Sequence, residues 1–231
     1  MIDSRPVEAH RLAEVPLFAG LPQPLLDELA ASCRIRRYPQ GQVLCNEGDP
    51  GDSLIVLESG PLRVSRFTEG GREAVLAVVE PPAAIGELSL IDGEPRDATV
   101  TAQRAVQVRL LPRSTFLSLL EREPVFARGV LRSLAGLVRL GNARHADTVG
   151  LDVTGRLAKW LLARGATHGE REAAGLAVPL GRSQGELAAE LGMTRTSLNK
   201  TLTRLESLGL LTVDNDRIVL HRPDALLDYV G

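Results

Sequence analysis

The sequence predicts an α+β protein in which an antiparallel β domain is followed by a long helix and a winged helix-turn-helix. Three observations predict this. Short alternating apolar runs fill residues 34–112, a long helical pattern begins at Pro124, and two short helices hinged at one glycine precede a strand–turn–strand pattern. Because 231 residues suffice for two modest hydrophobic cores, we expect two domains.

The strand signals lie in the amino-terminal half. Residues 7–32 carry short helical patterns, and after Arg34 the pattern changes to apolar runs at 43–44, 54–57, 62–67, 74–79, 98–102 and 106–111. The glycines that separate these runs are Gly41, Gly48, Gly51, Gly60, Gly70, Gly71, Gly86 and Gly93. Strands at near-regular spacing with glycine turns are typical of an antiparallel sandwich, barrel or roll.

Two helices are expected next, over residues 113–120 and from Pro124 to about Arg144. The long helix has apolar residues at steps of four, three and four, which is typical of a coiled-coil seam: Val130, Leu134, Leu137 and Gly141. Packing of this helix on its own β domain is the alternative. We favour a homodimer, because a second apolar edge with Leu131 and Val138 is left to cover the β domain. Residues 148–152 are the expected hinge.

The carboxyl-terminal part begins with residues 155–163, continues through a polar segment, 165–175, expected to be a surface loop, and reaches a helix-turn-helix at 183–208. Ser183 and Glu186 have the spacing of a capping box, and Gly192 supplies the positive φ of a tight turn between helices. A strand at 208–213, a polar turn and a strand at 217–220 predict the wing. An ordinary helical hairpin in a globular core is the alternative, and the wing argues against it.

The second helix of the pair carries the clearest indication of function. With Thr194 as N-cap, the residues Leu198, Leu202, Leu205 and Leu208 fall in one apolar sector. The opposite sector contains Arg195, Thr196, Asn199, Lys200 and Thr203, with no carboxylate. Such a face offers donors to base edges and phosphates and nothing that repels phosphate, so it predicts binding to double-stranded DNA.

Composition excludes several other classes. The net charge is −2, so the prediction of DNA binding depends on where the arginines lie rather than on a global excess of basic residues. No 18-residue apolar run and no signal-peptide segment occurs, which predicts a cytoplasmic protein without membrane contact. Cys33 and Cys45 are expected to be buried free thiols, and the four histidines are scattered, so no metal site is expected. No catalytic constellation appears, and an enzyme is not expected.

Three motifs occur in order along the chain: residues 47–54 with Gly60, residues 86–100 and residues 151–158. They resemble, respectively, the β-roll signature, the phosphate-binding cassette and the hinge of the cyclic-AMP receptor protein and fumarate–nitrate reductase regulator family of bacterial transcription regulators. The resemblance covers essentially the whole chain. It implies an amino-terminal cyclic-nucleotide-binding β-roll (1–123), a dimerisation helix (124–147) and a winged helix-turn-helix domain (148–231). It also implies RNA polymerase as a partner.

The resemblance implies an effector site for a cyclic nucleotide, cyclic AMP or cyclic GMP. Gly86 would approach the phosphate, Glu87 would accept from a ribose hydroxyl, and Arg96 would pair with the phosphate, with Leu88 in the same cassette. Without the resemblance, Glu87 and Arg96 would be interpreted as a surface ion pair. Haem is not expected because residues 46–86 contain no His or Cys, and two cysteines are too few for an iron–sulfur cluster.

Two departures from the family pattern bear on the effector. Asp97 stands where members that bind cyclic AMP have Ser or Thr, and a second anion about 4 Å from a phosphate would cost several kcal/mol. Asp97 is expected to face the phosphate, to point outward or to pair with Arg96. The positions that contact adenine in the family align with Gly141 and Asn142, of which only Asn142 could read a base edge.

For DNA, the resemblance implies that Arg195 reads guanine and that Lys200 is a second basic reader, whereas Thr196 replaces a glutamate that accepts from cytosine. Gln184, Thr194, Ser197 and Asn199 complete the expected contacts. Two rival functions stay open: an effector-independent regulator with a degenerate pocket, and a cyclic-nucleotide-binding regulatory subunit that acts on a protein partner.

Overall fold

The structure is a computed structural model that describes residues 12–67 and 73–230. Residues 7–11 of the expected amino-terminal helical segment and the expected turn glycines Gly70 and Gly71 lie outside these residues. The chain divides into two compact units, Met1–Val138 and Arg139–Gly231.

The first unit is an antiparallel β-roll with helices beside it. Its helices are a 3₁₀ turn (Pro16–Phe18), α1 (Gln23–Ser32), α2 (Glu87–Asp92) and α3 (Arg113–Arg122). Its strands are β1 (Arg34–Tyr38), β2 (Val43–Cys45), β3 (Ser53–Ser59), β4 (Leu62–Phe67), β5 (Glu73–Val79), β6 (Ala83–Ile85), β7 (Thr99–Ala102) and β8 (Val106–Pro112). They form two four-stranded sheets, in the orders β1-β8-β3-β6 and β2-β7-β4-β5. The predicted β domain is thus confirmed as a roll.

Strands β1 and β6 were not predicted from the sequence. β1 reads Arg-Ile-Arg-Arg-Tyr, and its first four residues are exposed because it lies at a sheet edge, paired with β8. An exposed edge strand need not alternate apolar and polar residues, so it lacks the usual signal. β6 has three residues, too few for any periodicity to appear.

The β-roll has two hydrophobic clusters. One fills the space between the sheets with side chains from both, including Ile55, Leu62 and Val108. The other lies under the helices, where Phe126 stacks on Phe18 with ring centroids 5.9 Å apart and meets Phe116 edge-on at 5.3 Å. Aromatic contacts of this kind add to the stabilisation from burial alone.

The long helix α4 (Pro124–Gly150) packs on the first unit with a different edge from the one expected. Val130 is 2% exposed and belongs to the cluster under the helices, and Leu134 packs against that cluster. Leu131 and Val138 are 64% and 62% exposed. The prediction that Leu131 and Val138 cover the β domain was therefore wrong. Neighbouring residues on a helix point about 100° apart, so a shift of one residue moves the packed edge from Leu131 to Val130.

Two further boundaries differ from the sequence expectation. Helix α4 continues to Gly150, so Leu151 and Asp152 alone separate it from α5 (Val153–His168). The prediction of a loop over residues 165–175 was wrong, because this segment contains the end of α5, strand β9 (Glu170–Glu172) and the start of β10 (Gly175–Pro179). β9 is another exposed edge strand made of charged residues, which hides its strand character.

The second unit contains the predicted winged helix-turn-helix. Helices α6 (Gln184–Glu190) and α7 (Arg195–Ser207) precede β11 (Leu211–Asp214), β12 (Arg217–Leu220), α8 (Pro223–Leu226) and a closing 3₁₀ turn (Leu227–Tyr229). The wing strands join β9 and β10 in a sheet of order β11-β12-β10-β9. Leu198, Leu202 and Leu205 are buried as expected, whereas Leu208 is exposed because it follows the last turn of α7.

The two cysteines are half-buried and free. Burial raises the pKa of the Cys33 thiol to about 11 and also raises the pKa of Cys45. Within residues 12–67 and 73–230, no helix is long and apolar enough to cross a membrane, and no group of His, Cys, Asp and Glu could hold a metal ion.

Candidate effector site and nucleic-acid interface

The phosphate-binding cassette is built around a glycine with a left-handed backbone. Gly86 follows β6, has φ of +90°, and forms the N-cap of α2. A β-carbon at this position would lie 2.4 Å from Nη1 of Arg96, so a side chain would displace the guanidinium. The structure thus brings Gly86 and Arg96 into direct contact.

Arg96 is buried and held mainly by neutral oxygens. It is 6% exposed, and its Nη1 donates to the Gly86 carbonyl at 3.0 Å and to Ser89 Oγ at 3.1 Å, while Nη2 donates to the Ser53 carbonyl at 2.5 Å. A carboxylate oxygen, Asp52 Oδ1, lies 3.9 Å from Nη2 of Arg96, on an exposed side chain. Among the described residues, Nε of Arg96 is buried without a partner. A cation with a free buried donor fits an anionic group.

Glu87 is also buried, at 5% exposure. Its Oε1 accepts a hydrogen bond of 2.9 Å from Ser133 Oγ on α4. Because both Glu87 and Arg96 are buried, and no ion pair joins them in the described part of the chain, they do not form the surface ion pair that the sequence alone would suggest. A buried carboxylate with one hydroxyl donor keeps acceptor capacity for a further hydroxyl group.

Asp97 points outward. Its side chain is 57% exposed, and its Oδ1 lies 3.2 Å from Nη1 of Arg66 on β4. The same guanidinium holds Glu47, with 2.9 Å between Arg66 Nη2 and Glu47 Oε1. Of the three orientations expected for Asp97, the structure has the outward one, with Arg66 rather than Arg96 as the partner.

The remaining expected effector residues are exposed. Leu88 lies on the outer side of α2, and Asn142 is exposed on α4 in the second unit. A β-carbon placed on Gly141 would meet no described atom within 4 Å.

The helix-turn-helix has the local geometry that its sequence predicts. Glu186 N donates to Ser183 Oγ at 3.2 Å and Ser183 N donates to Glu186 Oε2 at 2.8 Å, which completes the capping box. Gly192 has φ of +64° in the turn, and Thr194 caps α7 through a 3.1 Å bond from Ser197 N. These bonds fix where α7 begins and hence which residues face solvent.

The exposed side of α7 carries no carboxylate over its first three turns. Arg195, Thr196, Asn199, Lys200 and Thr203 are exposed. A shallow surface depression runs along this side, lined by Thr196, Asn199, Lys200, Thr203, Arg204 and Ser207. Ser197 is half-buried and bonded to Thr194, and Gln184 is half-buried at the start of α6.

Arg204 and Ser207 are two members of this surface that the sequence reasoning missed. They continue the line of Thr196 and Lys200 by further turns, so their helical spacing was the signal that could have identified them. Arg204 adds a positive charge, whereas the hydroxyl of Ser207 donates to the Arg204 carbonyl at 2.7 Å and keeps only acceptor capacity.

The wing tip has the opposite electrostatic character. Its turn contains Asp214 and Asp216, with Asn215 at φ of +47°. Arg217 Nε donates to Asp214 Oδ2 at 2.9 Å, and its Nη1 donates to Glu172 Oε1 at 2.6 Å. The hydrogen bond to Asp214, with the charge of Glu172, raises the pKa of Arg217. At the wing tip, Arg217 is therefore paired with two carboxylates, whereas the exposed side of α7 has no carboxylate over its first three turns.

Together, a β-roll that contains a phosphate cassette and a winged helix-turn-helix with a basic helix face define a ligand-sensing type of DNA-binding protein. Comparison with known proteins agrees with this class. Residues 35–123 match the cyclic nucleotide-binding domain family, and residues 155–229 match the Crp-like helix-turn-helix domain family.

The chain is 31% identical over 215 residues to the CRP-like cAMP-activated global transcriptional regulator of Mycobacterium tuberculosis, covering 90% of this chain and 96% of the relative. It is 29% identical over 216 residues to the cyclic AMP receptor protein of Thermus thermophilus, covering 94% and 96%. Among solved structures, a CooA mutant from Carboxydothermus hydrogenoformans superposes with a TM-score of 0.74 at 21% identity, covering 87% and 89%, which supports the fold.

The chain belongs to the family of CRP-like transcription regulators. It combines a cyclic nucleotide-binding domain with a Crp-like helix-turn-helix DNA-binding domain. Relatives described as global transcriptional regulators support the interpretation of the chain as a transcription regulator rather than an enzyme.

Proposed function

We propose that the protein is a homodimer that binds a palindromic operator through α7 and that a cyclic nucleotide in the β-roll modulates this binding. The observation that carries the proposal is the exposed side of α7, which has no carboxylate over the first three turns of the helix. In this proposal Arg195 reads guanine, Lys200 and Asn199 reach further base edges, and Thr196 changes the preference at one base pair. Gln184, Thr194 and Ser197 contact phosphates.

The exposed stripe on α4 supports dimerisation. Leu131, Ala135, Val138, Asn142, His145 and Val149 follow one another at steps of four and three residues, which is the spacing of a coiled-coil seam. Leu131, Val138 and Val149 are among the most exposed large apolar side chains of the described residues. A second copy of the same helix would bury this stripe.

A variant on this helix tests the dimer. Val138→Glu places a charge on the stripe and should convert the dimer to a monomer in sedimentation experiments, because a buried unpaired charge is costly. Leu140→Glu is the matched control, since Leu140 is exposed on the same helix two residues away but on another side. An unchanged dimer in Val138→Glu would contradict this seam.

Selection of binding sites from random DNA tests the operator. Two recognition helices on a symmetric dimer should select an inverted repeat with half-site centres about 10 base pairs, or about 34 Å, apart. Recovery of single half-sites alone would contradict a dimer on DNA, and recovery of no preferred sequence would contradict specific binding.

The cassette geometry supports a cyclic nucleotide as effector. The free Nε of Arg96 and the buried Glu87 are suited to a phosphate and a ribose hydroxyl, and the pairing of Asp97 with Arg66 directs the extra carboxylate elsewhere. The M. tuberculosis relative is described as cAMP-activated. A regulator without a nucleotide effector is the second candidate, favoured by Gly141, which offers no side chain to a base.

Thermal titration separates these two candidates. A ligand at one hundred times its Kd adds about 2.7 kcal/mol to the stability of the native state, which raises the Tm by several degrees. Cyclic AMP or cyclic GMP should therefore stabilise wild type but not Arg96→Gln, whose own Tm without ligand serves as the reference. If neither nucleotide shifts wild type, the effector-independent regulator is supported. We also propose a cytoplasmic location, as the composition predicts, and RNA polymerase as a partner, as the resemblance implies.

A further inference from the structure

Helix α5 connects the hinge to the helix-turn-helix through one arginine. Arg156 Nη1 donates to the carbonyl of Leu151, in the hinge, at 2.9 Å. Its Nε donates to the carbonyl of Leu191, the C-cap of α6, at 3.0 Å. Both bonds are partly buried, and hydrogen bonds from a charged donor are stronger than neutral ones. The carbonyl end of a helix also carries a partial negative charge, which favours a guanidinium there.

The same face of α5 reaches the beginning of α6. Trp160 lies one turn after Arg156, and the guanidinium of Arg182 is 5.6 Å from the centre of its ring. Arg182 immediately precedes Ser183, the N-cap of α6, and forms an ion pair with Glu190 in the last turn of α6. Helix α6 is therefore held near both ends by side chains of α5.

A third contact joins α5 to the last part of α4. Lys159 Nζ lies 2.5 Å from Oδ1 of Asp147, which is less than one turn before α4 ends at Gly150. Asp152 caps α5 through a 2.8 Å bond from Gly155 N, so the two-residue hinge has little freedom of its own. A change in direction at the end of α4 is consequently transmitted to α5.

We propose that Arg156 is a positioning residue that fixes the turn between α6 and α7 relative to the hinge, with Lys159 as the tie to α4. Arg156 lies on α5 and is not one of the side chains on the exposed side of α7. It sets the orientation in which α7 is presented, and it carries a movement of α4 into the recognition helix. This inference rests on the operator binding proposed above.

The test compares Arg156→Gln with Arg164→Gln in the full-length protein. Arg164 is a control on the same helix: its Nε donates to the Pro179 carbonyl in β10 at 3.0 Å, and its guanidinium lies 5.9 Å from the centre of the Trp160 ring. Its replacement removes a guanidinium from this face of α5 but leaves both hydrogen bonds of Arg156 in place. Arg156→Gln should lose about tenfold or more in affinity for the selected inverted repeat, the loss expected for charge-assisted bonds that orient the reading helix. Its affinity for a random duplex should stay within about twofold, because phosphate contacts tolerate a tilted helix.

Hydrogen exchange supplies a readout that does not depend on DNA. Amides of residues 188–194 should exchange faster in Arg156→Gln than in wild type and Arg164→Gln. The proposal would be overturned if Arg156→Gln left both the operator affinity and the hydrogen exchange unchanged. It would also be overturned if the variant lost affinity equally for the operator and for random DNA. If Arg156→Gln does not fold, Arg156→Lys replaces it, because lysine keeps the charge but cannot make both hydrogen bonds in the same geometry. Wild-type operator selectivity and wild-type hydrogen exchange in Arg156→Lys would overturn the proposal. Absence of DNA binding by wild type would instead refute the operator proposal.

Discussion

Replacement of Arg195 by alanine gives the sharpest test of how α7 reads DNA. Arg195 is the first residue of α7, it is exposed, and no hydrogen bond or ion pair engages it within the described residues. Its removal therefore leaves no buried partner, and the cost should fall on DNA binding alone. A bidentate arginine–guanine contact is worth about 1–3 kcal/mol, so we expect roughly a 5- to 150-fold loss for each half-site.

The assay is a fluorescence anisotropy titration at one fixed salt concentration, on the selected operator and on a scrambled duplex of equal length. Salt is held constant because phosphate contacts make every affinity depend on it. Arg195→Ala should also relax the preference at one base pair per half-site in a repeated selection. Gln184→Ala, at a proposed phosphate contact, should weaken both duplexes alike. Equal losses on both duplexes for Arg195→Ala would refute base reading by this residue.

Three further predictions concern the β-roll. Asp97→Ser should change cyclic nucleotide affinity by less than about threefold in a calorimetric titration, because Arg66 already pairs with this carboxylate. A large gain in affinity would mean that Asp97 faces the phosphate when the ligand binds. Glu58→Ala should lower the free energy of unfolding by about 3–5 kcal/mol in a denaturant titration, because Glu58 and Arg109 form a buried ion pair at 2.5 Å. A decrease in that free energy of less than about 1 kcal/mol would contradict this stabilising role. At pH 8, Cys33 should react with iodoacetamide about a hundredfold more slowly than free cysteine, since burial raises its pKa from 9.0 to about 11; ordinary reactivity would contradict this burial.

The parts of the fold that the sequence predicted correctly depend on local signals. The capping box at Ser183, the turn at Gly192 and the cap at Thr194 each need residues no more than three positions apart. The central strands were predicted for a similar reason, because each shows a run of apolar residues within one strand. In β3 the run Leu54 to Leu57 is buried on both faces.

The parts that the sequence did not predict depend on distant contacts. Which edge of α4 packs on the β-roll is decided by the apolar side chains that Val130 and Leu134 meet, and both edges look equally apolar in the sequence. The partner of Asp97 was missed for the same reason. Arg66 lies 31 residues away in the sequence. The fold of the β-roll places β4, which carries Arg66, beside the loop that contains Asp97, and the two side chains come to 3.2 Å.

Four arginines of the described residues differ in the chemistry of their partners, and this difference helps to explain why a net charge of −2 is compatible with a DNA-binding regulator. Arg66 and Arg217 each contact two carboxylates, so an added phosphate would have to compete with charges already in place. Arg96 instead rests mainly on carbonyl and hydroxyl oxygens, and Arg195 has no partner in the described part of the chain. A neutral partner orients a guanidinium without cancelling its charge, whereas a carboxylate does both. Of these four arginines, the two whose charge is not cancelled by a close carboxylate are Arg96, in the cassette, and Arg195, on α7.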